Sequence, residues 1–306
     1  MSHPGGVRPE QPSLPGCARH PDRPTGLRCN RCGRPYCPEC LQEAAVGYQC
    51  KSCVAEGART IRQPRNAAGA PLRTMTGRPV VTLSLIVLNT LAYLLTAAQS
   101  GSLVANYRGS ALFDAWALVP FFVAVGEYER LIGSGFLHYG PLHLLVNMFV
   151  LYIVGREVEA VLGRGRYLAV YAVSLLGGSV SVMWLENVLA ATVGASGAVY
   201  GLFGAMAVIL LRLRQNATGV FVIIGINVVI SVTIPGISLW GHLGGLVAGA
   251  LAAAMLLYVP MLLARPGRGA AAGRRAGILA LAALAATLMV AVLFRVVELR
   301  SIILGA

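Results

Sequence analysis

The stretch Val193–Gly201, with the sequence VGASGAVYG, places one serine, Ser196, among small residues at the start of an apolar segment. Further along, Trp240–Gly245 reads WGHLGG and places a single histidine, His242, in equally apolar sequence. A polar or ionisable side chain at membrane depth costs free energy and points to function by default. The two stretches therefore predict membrane helices that carry chemistry.

The composition is that of a chain embedded largely in lipid. Of its 306 residues 56% are hydrophobic and 12% are charged, and the mean hydropathy is +0.69, above the range of soluble domains. The formal net charge of +13 would suggest nucleic acid in a soluble protein. Here the arginines cluster between hydrophobic segments, where they orient a membrane protein, so we expect the lipid bilayer rather than nucleic acid as partner.

Seven apolar segments are long enough to cross a bilayer, which takes about 20 residues each. A shorter apolar piece, Ala111–Val125, contains Asp114 and Pro120, and we expect it to be interfacial or re-entrant. Counting it as a span would invert every later segment and remove the arginine asymmetry described next. The predicted spans are at about 79–98, 141–160, 167–186, 196–213, 218–235, 239–263 and 277–297.

The arginines orient these segments. If the N-terminus is cytoplasmic, the inside segments hold the arginine groups at 59–78, 156–166, 212–214 and 265–275. The outside loops then hold little more than Arg108 and Arg130. Because positive charge accumulates on the cytoplasmic side, we expect a multi-pass protein of a bacterial-type cell membrane with a cytoplasmic N-terminus and an extracytoplasmic C-terminus. The N-terminal residues lack the apolar core of a signal peptide, so we expect no cleavage there.

This topology brings four polar side chains to a similar depth near the outer surface. Ser196 begins the fourth helix, and His242 lies about one turn into the sixth. His143 and Asn147 open the second helix, and their spacing of four residues places them on one face. Tyr200 follows Ser196 by one turn and shares its face.

These residue types suit nucleophilic chemistry. A serine hydroxyl becomes a nucleophile when a base accepts its proton, and histidine titrates in the required range. His143, Asn147 and the backbone amide at the start of the fourth helix would donate hydrogen bonds to an oxyanion. No acidic residue lies near His242 in sequence, so we predict a Ser–His dyad with Tyr200 packed on the imidazole. Each residue alone also fits helix packing, and His242 also fits a proton relay in a transporter or channel.

Taken together, the motifs resemble those of rhomboid intramembrane serine proteases. Gly194–Gly197 corresponds to the GxSG motif of the family, His143–Asn147 to its HxxxN motif, and His242 to its histidine on the sixth helix. The resemblance covers about residues 79–263. It implies cleavage of single-pass membrane proteins near the extracytoplasmic face, without metal or ATP. A catalytically silent rhomboid-like binder or chaperone is the alternative, and the intact motif residues argue against it.

A separate module precedes the membrane segments. Seven cysteines and one histidine form four pairs, each with two intervening residues, and eight ligands suffice for two tetrahedral zinc ions. An odd number of cysteines and the expected cytoplasmic side disfavour a disulfide framework. About 40 residues bury too small a core, so metal would supply the folding free energy. The predicted ligands are Cys17, His20, Cys29, Cys32, Cys37, Cys40, Cys50 and Cys53.

The ligand pattern resembles a B-box-type zinc finger. That resemblance implies cross-braced ligation, in which the first and third pairs hold one ion and the second and fourth the other. Sequential pairing stays open. Both sites use four protein ligands, so we expect two structural Zn²⁺ ions and no cofactor for catalysis. The module is then either a folded cap or, as we slightly favour, a docking site for a cytoplasmic protein partner.

The sequence thus predicts an all-α polytopic membrane protein. A six-helix rhomboid core would be followed by one extra C-terminal transmembrane helix and preceded by a small two-zinc module. The predicted parts are a disordered N-terminus at 1–16, the zinc-binding module at 17–56, a basic linker at 57–78, the core at 79–263, and a basic loop with the seventh helix at 264–306.

Overall fold

The computed structural model divides the chain into two compact units, with the boundary after Pro64. It describes residues 13–60, 78–234, 236–263 and 270–304. The first 12 residues, most of the basic linker, and residues 264–269 of the loop before the seventh helix lie outside the described residues.

The first unit is small and contains two short strands and one α-helix among its described residues. A 3-10 turn at Pro38–Cys40 leads into strand β1 (Leu41–Glu43), which pairs antiparallel with β2 (Tyr48–Cys50). Helix α1 (Lys51–Thr60) follows directly. Apart from cysteines, the buried apolar cluster of this unit contains only Tyr36 and Leu41 among its described residues. Such a core cannot by itself offset the chain entropy lost on folding.

The second unit is helical. Six of its helices match the predicted spans to within three residues at each end, whereas the last helix, Ala270–Leu304, extends seven residues beyond the predicted 277–297 on both sides. Four of these helices, which begin at Val80, Arg164, Leu239 and Ala270, are long and apolar enough to cross a membrane. Two shorter apolar helices begin at Ser196 and Thr218. The bounds are α2 Val80–Ser100, α6 Gly140–Leu162, α7 Arg164–Leu185, α8 Ser196–Arg212, α9 Thr218–Thr233, α10 Leu239–Leu262 and α11 Ala270–Leu304.

The apolar piece between the first two long helices forms two short helices, α3 (Ala111–Trp116) and α4 (Pro120–Ala124). Neither is long enough to span a bilayer. A third short helix, α5 (Arg130–Gly133), supplies an arginine that contacts the end of α3. Arg130 is buried, and its Nη1 donates to the carbonyl oxygens of Asp114 at 2.6 Å and Ala117 at 2.7 Å. One guanidinium therefore ties the last residues of α3 to α5.

Helices α8 and α10 meet backbone to backbone. A methyl group on Gly245 would overlap the carbonyl oxygen of Gly197, and one on Gly249 would overlap that of Gly201. Small residues allow such an approach, because no side chain separates the helix axes. The start of α8 and the start of α10 are therefore held together by main-chain contact.

A carboxylate from α6 accepts hydrogen bonds from the first backbone N–H groups of α2. Glu159 is buried and accepts hydrogen bonds from the backbone N–H groups of Val81 at 3.1 Å and Thr82 at 2.8 Å, and from the Thr82 hydroxyl at 2.8 Å. The first amides of a helix lack intrahelical acceptors, and the helix dipole favours a negative charge beside them. These hydrogen bonds offset the free-energy cost of burying the Glu159 carboxylate, and they join α6 to α2.

Helix α11 packs against α7 and α4. Val292, Val296 and Leu299 share one buried cluster with Val123 of α4 and Met183 of α7. Two arginines of α11 add polar contacts to main-chain carbonyls at this end. Arg295 donates to Met183, and Arg300 donates to Ala124.

Candidate functional site

Ser196 and His242 meet directly. Ser196 is the first residue of α8 and His242 the fourth of α10, and the distance from Ser196 Oγ to His242 Nε2 is 2.8 Å. The imidazole is 7% exposed. The start of α10 is held by Ser238, whose hydroxyl accepts from the Gly241 amide at 3.1 Å and donates to Glu186 at 3.0 Å. The predicted pair is therefore a hydrogen-bonded pair in the structure.

Tyr200 packs on the His242 imidazole, as the sequence predicts. Its ring stacks on the His242 imidazole with centroids 4.0 Å apart and an interplanar angle of 16°. The spacing from Ser196 to Tyr200 is one helical turn, which places both side chains on the face of α8 toward α10. The stacking restricts rotation of the imidazole.

One further side chain contacts the His242 imidazole, and no motif in the sequence predicts it. Ser231 of α9 places its Oγ 2.8 Å from His242 Nδ1 and 3.4 Å from the Tyr200 hydroxyl. Its hydroxyl also lies 2.8 Å from the Asn227 carbonyl oxygen, to which it donates. A serine in an apolar helix carries no motif signal, so this contact becomes visible only once α9 is placed.

Gly194 lies close to both His143 and Ser196. A methyl group built on Gly194 would lie 3.0 Å from His143 Nε2 and 3.5 Å from Ser196 Oγ. Gly194 has φ of +129°, a conformation that disfavours any residue with a side chain. A side chain at this position would therefore crowd both the His143 imidazole and the Ser196 hydroxyl.

Asn147 lies one turn further along α6 and is buried. Its Nδ2 donates to the His143 carbonyl at 2.9 Å, so one of its two amide hydrogens is used within the helix. The ring of His138 packs edge-on against that of His143, with centroids 5.0 Å apart and an interplanar angle of 68°. Among the described residues neither ring nitrogen of His138 has a hydrogen-bond partner. His143 and Asn147 thus stand on one helix, as expected from their spacing.

The loop that contains α3 to α5 positions the segment before Ser196. Leu118 and Thr192 exchange backbone hydrogen bonds of 3.1 and 2.9 Å. The Gly194 amide donates to the Ser134 carbonyl at 2.9 Å, just after α5. The entry angle of the chain into α8, and with it the direction of the Ser196 side chain, therefore depends on this loop.

The Cys/His residues of the first unit form two clusters. The ligand atoms within each cluster all lie within 4.8 Å of one another, so each cluster could hold a metal ion. The grouping is cross-braced: the first and third pairs come together, and so do the second and fourth. The first cluster is Cys17, His20, Cys37 and Cys40, and the second is Cys29, Cys32, Cys50 and Cys53.

Backbone amides favour thiolates in both clusters. Burial opposes ionisation, but N–H donors, that of Cys37 first, lower the pKa of Cys17 to about 6. Burial is likewise outweighed at Cys29, where N–H donors, that of Cys50 first, lower the pKa to about 6. The pKa of Cys53 instead rises to about 12, through its hydrogen bond to Cys50 and then through burial. Crowded thiols oppose each other's ionisation, and a bound cation would relieve that opposition.

Part of the second unit matches a known family. Residues 125–259 match the family model of the Rhomboid domain. The chain is 35% identical over 185 residues to Rhomboid protease GluP of Bacillus subtilis (strain 168), which is 59% of this chain and 35% of that protein. RHOMBOID-like protein 4 of Arabidopsis thaliana is 34% identical over 44% of this chain and 35% of its own length.

The match to a shorter relative covers most of that protein. YdcA of Bacillus subtilis (strain 168) is 34% identical over 134 residues, which is 42% of this chain and 67% of YdcA. The chain spans about a third of the length of GluP and of the Arabidopsis relative. The matched region contains Ser196, His242, His143 and Asn147. The chain belongs to the rhomboid family.

Proposed function

We propose that this protein is an intramembrane serine endopeptidase in which Ser196 is the nucleophile and His242 the general base. The observation that carries the proposal is the 2.8 Å contact between Ser196 Oγ and His242 Nε2. A hydroxyl and an imidazole at this distance, in otherwise apolar helices, form the arrangement that nucleophilic catalysis requires. The names of relatives such as Rhomboid protease GluP and Rhomboid protease AarA of Providencia stuartii support the same class of reaction.

The reaction follows from the geometry. His242 Nε2 accepts the Ser196 proton as Oγ attacks the scissile carbonyl carbon, and the carbonyl oxygen becomes an oxyanion. We propose that the reacting carbonyl group binds near His143 Nε2 and Ser196 Oγ, which both approach Gly194. His242 then gives its proton to the leaving amine, and an acyl-enzyme remains. Water, deprotonated by His242, releases the acid and restores Ser196.

The oxyanion site in this proposal uses His143, Asn147 and the start of α8. His143 in its Nε2–H form would donate directly to the oxyanion. The second amide hydrogen of Asn147 would donate from one turn along the same helix. The backbone N–H of Ser196 belongs to the first turn of α8, where the helix dipole favours negative charge. Tyr200, stacked on His242, would keep the imidazole aimed at Ser196.

The substrates that we propose are single-pass transmembrane proteins, cut near the extracytoplasmic face. The site is built from the first residues of α8 and α10, so it lies near one end of these helices rather than midway along them. The arginine asymmetry of the sequence assigns that end to the outer surface, with the N-terminus cytoplasmic and the C-terminus extracytoplasmic. Peptide bonds near a membrane surface are also the ones that water reaches.

The test is a Ser196→Ala variant of the full chain in proteoliposomes, with Thr287→Ala as control because Thr287 is an exposed hydroxyl on α11. A fluorophosphonate probe, which acylates activated serines, should label the wild-type and Thr287→Ala proteins and leave the Ser196→Ala protein unlabelled. Cells that express the wild type should release ectodomains of membrane proteins. Membrane proteomics should show that cells expressing Ser196→Ala retain them. Cleavage that persists in the Ser196→Ala protein would refute the proposal.

The same labelling separates the protease from a catalytically silent binder or chaperone of membrane proteins. A binder needs the surface of the helices but not an activated hydroxyl. No labelling of the wild-type protein at Ser196, with capture of membrane proteins intact, would favour the binder.

For the first unit we propose two structural zinc ions. Thiolate and imidazole donors in sets of four suit Zn²⁺, which binds them tetrahedrally. One ion would be held by Cys17, His20, Cys37 and Cys40, and the other by the remaining four cysteines. All eight ligands would be used, so the ions would stabilise the fold and take no part in cleavage. We further propose that the folded unit docks a cytoplasmic protein partner.

A further inference from the structure

We infer that Ser231 of α9 is a positioning residue that sets the proton arrangement of His242. The inference deepens the proposed function and rests on it for its catalytic consequence. Ser231 Oγ lies 2.8 Å from His242 Nδ1, on the side of the ring opposite the contact with Ser196. The imidazole is therefore held between two serine hydroxyls, and the proton on each side decides what the ring can do.

The hydrogen of Ser231 has a defined acceptor. Its Oγ lies 2.8 Å from the carbonyl oxygen of Asn227, one turn earlier on α9, and a carbonyl only accepts. A hydroxyl has one hydrogen and two lone pairs. With the hydrogen given to Asn227, Ser231 can only accept from His242.

That restriction selects one tautomer of the neutral imidazole. Nδ1 carries the proton and donates to Ser231, so Nε2 presents its lone pair to Ser196. Only this form can accept the Ser196 proton. The opposite tautomer would point Nε2–H at Ser196 and leave the imidazole unable to act as a base at that atom. Ser231 thus takes a place that a carboxylate holds in other serine hydrolases, without adding charge to an apolar helix.

The Tyr200 hydroxyl donates to the second acceptor position of the Ser231 hydroxyl. The two oxygens lie 3.4 Å apart while the Tyr200 ring stacks on His242. Ser231 then accepts twice and donates once, which uses its full hydrogen-bonding capacity. Tyr200, Ser231 and His242 form one connected set, and each restrains the orientation of the imidazole.

The burial pattern of α9 sets Ser231 apart from its neighbours. It is the one buried residue of this helix, whose large apolar side chains, such as Ile226, Val229 and Val232, are exposed. A polar side chain that is singled out for burial on an otherwise outward-facing helix has a cost that its contact with His242 and Tyr200 offsets.

The experiment compares Ser231→Ala and Ser231→Thr in the full chain. Thr233→Ala is the matched control, because Thr233 donates to the Val229 carbonyl one turn earlier on the same helix but is exposed. The first readout is the rate of fluorophosphonate labelling of Ser196. We expect Ser231→Ala to slow labelling about tenfold, since the neutral hydrogen bond that orients His242 Nδ1 is lost. Ser231→Thr should restore most of the rate, and Thr233→Ala should leave it unchanged.

The second readout is the ¹⁵N chemical shifts of the His242 ring, which distinguish the two tautomers without any reaction. In the wild type they should report Nδ1–H with unprotonated Nε2, and in Ser231→Ala a mixture. Equal spectra and labelling rates for Ser231→Ala and Thr233→Ala would overturn the inference and leave the proposed protease standing. Absence of Ser196 labelling in the wild type would instead defeat the proposed function, while the spectra would still decide the role of Ser231.

Discussion

At the scale of single residues, the His242 imidazole contacts Ser196 at Nε2, Ser231 at Nδ1 and Tyr200 on its ring face. Ser196, His242 and Tyr200 were expected together because they lie in motifs at the start of two helices, and the structure places them in contact. Ser231 was not expected. Its contact with His242 depends on how α9 is rotated about its axis, and periodicity in a uniformly apolar helix does not define that rotation.

Gly194 offers a prediction at this scale. In a Gly194→Ala protein the new methyl group would occupy the space between His143 Nε2 and Ser196 Oγ, and the positive φ would be strained. Loss of a single oxyanion donor costs about a hundredfold in rate, and we expect at least that loss of fluorophosphonate labelling and substrate cleavage. Thermal unfolding should show that the helical unit stays folded.

The control for Gly194→Ala is Gly101→Ala. Gly101 also has a positive φ, of +66°, but nothing lies within 4 Å of an added methyl group. This variant places a methyl group at a positive φ that L-residues adopt at a smaller cost, and it should keep its activity. Equal activity losses in the two variants would show that strain, rather than the filled space, is responsible.

At the scale of elements, apolar length predicts the seven long helices, but it does not predict the loop between α2 and α6. The sequence indicates that Ala111–Val125 does not span, and the structure resolves it into two short helices. Their arrangement depends on the Arg130 guanidinium, which donates to carbonyl groups far from it in sequence. Carbonyl acceptors belong to every residue, so no residue pattern reveals such a contact.

Helix α11 provides the prediction at this scale, with two adjacent valines as a matched pair. Val296 is 2% exposed in the cluster that includes Val123 and Met183, whereas Val297 is 68% exposed. Val296→Ala would leave a cavity and should lower the free energy of unfolding by about 1–2 kcal/mol, while Val297→Ala should have little effect. Unfolding in mild detergent measures both.

A second result is expected from the same pair. The cluster touched by Val296 includes Leu118, whose backbone pairs with Thr192 shortly before Ser196. Val296→Ala should therefore slow labelling of Ser196 as well as destabilise the unit. If only stability changes, α11 packs against the loop without influencing the site.

At the scale of the whole molecule, the sequence predicts a zinc-binding module at 17–56 and a rhomboid core at 79–263. The structure divides into two compact units after Pro64, and the predicted domain assignment of each part stays a prediction. The ligand pairs predict that metal holds the first unit together, and the structure favours the cross-braced grouping over the sequential one. Orientation in the membrane stays a prediction, because it depends on the arginine distribution relative to a bilayer.

Zinc content gives the prediction for the first unit. The purified chain should contain two zinc ions, and Cys17→Ser or Cys29→Ser should each reduce the content to one, since the clusters share no ligand. Elemental analysis measures this, with Ser52→Ala, an exposed neighbour of the ligands, as control. A chelator should unfold residues 17–56 and leave the helical unit folded, because the small core there cannot persist without metal. Loss of both ions in either single variant would contradict independent sites.

The glycine contact between α8 and α10 has a consequence for how the protein responds to its lipid surroundings. Membranes of different thickness change the tilt of individual helices. Where Gly245 and Gly249 meet the backbone of α8, however, the two helices can only tilt as one body. A thinner or thicker bilayer should therefore alter the depth at which a substrate is presented, while the separation of Ser196 and His242 stays constant.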